Sequence, residues 1–147
     1  MISNYNDSII PEEPENSTQV KPDMNSILES VKTMLNIELD DTAFDTDIIF
    51  GINTAFAILQ QIGVGPKEGF NVVDNTQQWQ DYAEGAMYSM VQQYVYLKTK
   101  VIFDPPTNSF LLSAYNDRIN ELEWRLKVTA EEIFDDTPVT IEAKDDD

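Results

Sequence analysis

Neither cysteine nor histidine occurs in this chain of 147 residues, and the two absences remove more chemistry than any motif could add. Without thiols there is no disulfide framework and no thiolate nucleophile. Without imidazole there is no histidine general base, no Ser-His-Asp triad and no Cys/His zinc site. Basic residues are scarce too: nine Lys plus Arg stand against 27 Asp plus Glu, a formal net charge of −18 at pH 7. A tight grip on nucleic-acid phosphates needs cations that neutralise the backbone and release its counterions, so the composition argues against stable nucleic-acid binding. Anionic lipid would repel the chain as well. No apolar run approaches the roughly 20 residues that span a bilayer, and residues 1–30 lack a basic start followed by an apolar stretch. The expectation is a protein of a cytoplasm-like compartment with no membrane partner. The sequons Asn6-Asp7-Ser8 and Asn16-Ser17-Thr18 would matter only in a secreted chain and are read as chance.

What is present suffices for one compact domain, since a chain of this length buries roughly 70% of its unfolded surface. Composition divides it into an N-terminal arm (residues 1–23), a core (24–128) and an acidic C-terminal tail (129–147). The arm, with Pro11, Pro14 and Pro22 among Asn, Ser and Glu, has too little apolar surface to offset the entropy of ordering, which predicts disorder in the free protein. In the core, apolar residues recur at helical spacing. A first helix is expected over residues 24–35 on the stripe Ile27, Val31, Leu35. A second starts near the acids Asp40, Asp41, Asp45 and Asp47, runs through Phe44, Ile48, Ile52, Phe56 and Leu59, and ends at a Gly63 cap. A third spans 81–103 with apolar residues on more than one face, so it should be central. Asp104-Pro105-Pro106 stops it, and Thr107 or Asn108 caps a fourth helix whose stripe is Leu111, Tyr115, Ile119, Leu122, Leu126. The fold class is all-α: a small bundle of about four helices with an extended acidic arm and tail.

Candidate chemistry is thin. Gly63-Val64-Gly65-Pro66-Lys67 follows a helix where a phosphate loop follows a strand, its Lys is not followed by Ser or Thr, and Pro66 removes a backbone donor. The acids around Asp40 to Asp47 match no calcium loop and lack its bend glycine. Glu121 and Glu123, two positions apart on a helix, point about 200° from each other and cannot share a substrate, whereas Glu121 is well placed to pair with Arg125 four residues on. The aromatics Trp79, Tyr82, Tyr88, Tyr94, Tyr96 and Trp124 could stack bases as single-strand binders do. Without a basic groove beside them, core packing or a protein interface is the better reading, and the surplus apolar surface of the third helix hints at oligomerisation.

An ordered set of segments then carries a resemblance. Gly63-Val64-Gly65-Pro66, Trp79, Val101-Ile102-Phe103-Asp104-Pro105-Pro106 and Ile119-Asn120-Glu121-Leu122-Glu123-Trp124-Arg125-Leu126, across about residues 24–128, resemble the head-tail connector (head completion or adaptor) proteins of tailed bacteriophages. That resemblance implies a structural virion protein of the neck, without catalysis or cofactor, made in the host cytoplasm. It also implies a homo-oligomeric ring of twelve copies beneath the portal protein, contacting the next neck or tail-completion protein, through which genomic DNA passes without specific binding. The long acidic arm departs from the family pattern.

On this reading Trp79, Tyr94, Trp124 and Leu126 are expected to pack the bundle or the ring interface, with Trp124 and Leu126 holding the fourth helix against its neighbours. Asp40, Asp45 and Asp47 are candidates for channel-facing acids, where negative charge would keep DNA from sticking. The tail contains Ile133-Phe134, a turn at Asp135-Asp136-Thr137-Pro138, and Val139-Thr140-Ile141-Glu142-Ala143, whose alternating β-branched residues suit a strand added to another protein's sheet edge. Ile133, Phe134, Val139 and Ile141 would then dock on the portal, as a C-terminal segment does in the connectors it resembles; the alternative is an acidic solubility tail. Two other functions compete. An acidic DNA mimic needs carboxylates spaced along a folded surface, but most of the net charge lies in the two ends. A metal-dependent nuclease would have to use Asp40, Asp45 and Asp47.

Overall fold

The computed structural model describes residues 20–136, in which four α-helices form an all-α bundle: α1 (Ile27–Met34), α2 (Asp45–Gln61), α3 (Tyr88–Phe103) and α4 (Ser109–Asp135). Most of the arm and the segment containing Val139 and Ile141 lie outside the described residues. Among the described residues no strand occurs, only an antiparallel bridge between Ser26 and Gln78.

Each helix boundary has a local cause. Ser26 caps α1, its Oγ accepting from the Glu29 N–H, and this Ser-x-x-Glu spacing is a sequence signal that places the start at Ile27, three residues later than the expected boundary at residue 24. Glu29 turns its carboxylate to the Asp23 N–H at 2.8 Å, tying down the entry to the helix. Two helices end in the same motif. At α2, Gly63 takes φ +86° while its N–H donates to the Gln60 carbonyl and the Val64 N–H to Leu59. At α1, Asn36 takes φ +58° with equivalent bonds to Thr33 and Lys32. Both are left-handed caps that satisfy carbonyls orphaned at the helix end. Asn108 caps α4 by accepting from the N–H groups of Phe110 and Leu111.

The third helix starts later than its apolar pattern implies. Residues 79–87 form two 3₁₀ turns, Trp79–Asp81 and Gly85–Met87, and Gly85 takes φ +67°, a conformation no right-handed helix admits. Trp79 is drawn inward by this arrangement. The segment between α2 and α3 therefore wraps the bundle, held where the Asn53 side-chain amide donates to the Val72 carbonyl and accepts its N–H, at 2.9 and 2.8 Å.

The core joins Ile27 and Val31 of α1, Ile48, Ile52, Phe56 and Leu59 of α2, Val91, Tyr94 and Val95 of α3, and Ile119, Leu122 and Leu126 of α4. Helix α3 is central, packing on α2 on one side and α4 on the other. Gly51 allows the α2–α3 approach: a Cβ there would meet Thr99 Cγ2 at 2.9 Å. At the wrapping segment Phe56, Phe70, Trp79 and Tyr82 form an aromatic cluster.

Gly65 packs beneath Tyr82. It has φ +87°, and a Cβ would fall 2.5 Å from the Tyr82 hydroxyl oxygen. Gly63, with nearly the same φ, faces open space. Gly65→Ala is thus expected to cost about 2–4 kcal/mol, backbone strain plus overpacking, and Gly63→Ala about 1–2 kcal/mol, strain alone. Urea melts of the two variants side by side check this; equal losses would remove the steric part.

Candidate interaction surfaces

The residues singled out from the sequence separate into three groups. Trp79, Tyr94 and Leu126 are core residues of a single copy, each at most 2% exposed. Trp79 donates from Nε1 to Ser30 Oγ at 2.8 Å, and Ser30 in turn donates to the Ile27 carbonyl. Trp124 does not pack inside the bundle: it is 66% exposed, which leaves the ring interface as the place where it could hold α4 against a neighbour. The reason is angular. The buried positions of α4 are Ile119, Leu122, Leu126 and Ala130, and Trp124, two residues from both Leu122 and Leu126, is turned roughly 200° from each.

The acids do not converge. Asp45 is a structural partner of Lys32, a lysine only 2% exposed. The Lys32 ammonium donates to the Leu39 carbonyl at 3.0 Å, the Asp41 carbonyl at 2.8 Å and Asp45 Oδ1 at 2.7 Å, which satisfies all three of its donors. Asp40 and Asp47 are exposed. Among the described residues no group of three acidic side chains is placed to hold a metal ion, and no helix is long and apolar enough to cross a membrane.

Ile133 and Phe134 belong to α4, which continues through Asp135, so the helix runs past residue 128 and carries them on its exposed last turn. Ala130, buried in the same stretch, extends the packing stripe of α4 by one turn. Lys67 lies over the Phe134 ring, 5.6 Å from its centroid.

Along α4, one carboxylate serves two arginines. Glu121 receives Arg118 at 2.9 Å and Arg125 at 2.8 Å; the hydrogen bond from Arg118 leads in holding its carboxyl below the usual range. The Arg125 pair is the one its spacing predicts. The Tyr94 hydroxyl donates to Glu123 Oε1 at 2.7 Å. Burial first, then the hydrogen bond to Glu123 and its negative charge, push the Tyr94 phenol well above its ordinary 10.0, and burial does the same to Tyr82.

The sign of the consequence follows from proton binding. In the unfolded chain both phenols ionise near pH 10, while the folded chain retains their protons, so stability is complete below pH 10 and falls as pH rises past it. Urea midpoints should decline above about pH 10, less steeply in Tyr94→Phe; identical slopes would remove Tyr94 from the explanation.

Apolar surface is left over at a cleft and along α4. Phe44, Phe50, Ile102 and Phe103 line a cleft of about 530 Å³ between the start of α2 and the end of α3, rimmed by Asp47 and Asp104. Phe50 is 66% exposed and Phe44 and Phe103 meet edge to face, 5.7 Å between centroids. Helix α4 presents Trp124 and, near its start, Phe110, 83% exposed. Sequence periodicity missed this cleft because Phe44 and Phe50 sit in an apolar-rich helix that reads as core throughout.

Among the described residues, large aromatics are turned outward on the helices, the residue type enriched at protein contacts. Comparison with curated proteins and with solved structures finds no match. A family model described as phage connector protein does match, over residues 27–133, a span that contains all four helices up to the last turn of α4 and every segment on which the resemblance rests. The chain belongs to the phage connector protein family.

Proposed function

We propose that this protein is a structural head-tail connector of the virion neck, forming a ring beneath the portal protein that extends the DNA channel and receives the next neck or tail-completion protein. It acts by shape and contact, without catalysis or cofactor. The observation that carries the reading is the family match over residues 27–133, and two physical features support it. Large aromatics lie exposed on rigid helices, the residue type enriched at protein interfaces. A net charge of −18 suits a sleeve through which DNA slides without adhering. Of the acids expected at the channel, Asp40 remains a candidate; Asp47 lines the apolar cleft of Phe44 and Phe50. Asp45 is committed to Lys32, so its replacement would disturb folding before it reported on DNA.

Portal docking by the C-terminal segment, through Ile133, Phe134, Val139 and Ile141, is part of the proposal. Since α4 runs to Asp135, the informative truncation ends at Asp136, leaving Ala130 and the packed helix whole. The test is sedimentation with assembled portal. The full chain should co-sediment in ring stoichiometry and the truncated chain bind more weakly. No co-sedimentation of the full chain would overturn the connector reading; equal binding would remove Val139 and Ile141 from portal docking and leave it to Ile133, Phe134 and the bundle.

A further inference from the structure

Two unpartnered apolar surfaces differ in shape and charge in a way that fits one to the other. One is concave: the cleft of Phe44, Phe50, Ile102 and Phe103. The other is a projecting ring, Trp124, on the outer face of α4. Each carries, one helical turn away, a charge with no ion-pair partner among the described residues, and the signs are opposite. Asp47 lies three residues before Phe50 and lines the cleft; Lys127 lies three residues after Trp124, and residues three apart share a helix face. Neither Asp47 nor Lys127 has an ion-pair partner among the described residues. In a chain with only nine basic residues, a lysine beside an exposed tryptophan is a notable placement. Glu121, three residues before Trp124 on the same face, is held by Arg118 and Arg125, and the other acids of that face, Asp117 and Glu131, are two turns away on either side.

The two surfaces cannot meet within one copy. Helices α3 and α4 run antiparallel with Tyr94 beside Glu123, so Trp124 lies beside the middle of α3, whereas Ile102 and Phe103 end it. At 1.5 Å per residue the separation along the bundle is about 15 Å. Two different, complementary patches on one chain make a head-to-tail contact, the kind that closes into rings.

We propose that Trp124 of one copy seats in the Phe44–Phe50–Ile102 cleft of the next, with Lys127 facing Asp47, and that this contact joins neighbouring subunits. The inference rests on the ring reading and names the surface that makes the ring. A buried aromatic anchor inside a rim of matched charge is the usual composition of an interface hot spot.

The absence of cysteine makes the test clean. In the full chain, Val128→Cys and Thr46→Cys, each one turn from an anchor on the side where Lys127 would face Asp47, provide the only thiols. With portal present, a short bismaleimide should convert the double variant into a ladder of covalent multimers, while either single variant gives no ladder. Adding Trp124→Ala should abolish the ladder and weaken assembly by about thirty-fold or more without lowering the melting temperature, since the ring is exposed in the single copy. Asp47→Lys and Lys127→Glu should each weaken assembly, and together restore it. If the wild-type chain assembles but the double variant yields no ladder, or Trp124→Ala assembles normally, the surface is wrong and the ring stands. If the wild-type chain stays monomeric with portal, the ring reading falls and this inference with it.

Discussion

Replacing Trp79 with alanine is expected to destabilise the protein by about 3–5 kcal/mol, the range for removing a large aromatic from a packed core. The ring is 2% exposed and packs against Phe56 in the aromatic cluster that pins the segment between α2 and α3. Its backbone N–H also donates to the Asn25 carbonyl, beside the Ser26–Gln78 bridge, so the same residue fastens that segment to the start of α1. Trp79→Phe should lose less, because Ser30 Oγ keeps its bond to the Ile27 carbonyl and most of the apolar area stays. Trp124→Ala is the control, with a loss of less than about 0.5 kcal/mol expected at an exposed site. The chain has two tryptophans. In a Trp124→Phe background the remaining fluorescence comes from the buried ring alone, and its red shift in urea reports unfolding directly. Equal losses for Trp79→Ala and Trp124→Ala would contradict the assignment of one to the core and the other to the surface.

Breaking the buried ion pair should be nearly as costly and, more tellingly, asymmetric. Asp45→Ala leaves the Lys32 ammonium buried with two carbonyls and no counter-charge, for which about 3–5 kcal/mol is expected. Lys32→Met replaces the stem with an apolar chain of similar length and leaves Asp45, whose side chain is 28% exposed, in contact with water. Its cost is the two carbonyl bonds, those of Leu39 and Asp41, and should be the smaller of the two. Urea midpoints of both variants and of the double replacement measure this. The reverse order would mean that the carbonyls, and not the carboxylate, hold the lysine in place.

The helices were legible because their apolar stripes are, and the caps at Gly63 and Asn108 because each has a residue suited to the backbone it must adopt. The start of α3 was misread because the apolar count runs on through Tyr82, Ala83 and Met87, while Gly85, with φ +67°, marks a turn that periodicity ignores. Lys32 shows a different limit: a lysine on an otherwise apolar helix face reads as a solvated edge, and only the fold brings the Leu39 and Asp41 carbonyls and Asp45 around it. Trp124 was legible in principle. The 200° argument that separates Glu121 from Glu123 also separates Trp124 from the Leu122–Leu126 stripe, and applied there it decides between the bundle and the ring interface, which the sequence reading left open. The cleft at Phe44 and Phe50 was not legible, because it is made by the ends of two helices distant in sequence.

The most direct test of the connector assignment is cryo-electron microscopy of the particle neck, or of purified portal with this protein bound. The account predicts a ring of four-helix bundles beneath the portal, enclosing the DNA channel, with density into which α1 to α4 fit. A portal-proximal ring built of another protein, with no density for this chain at the neck, would contradict it.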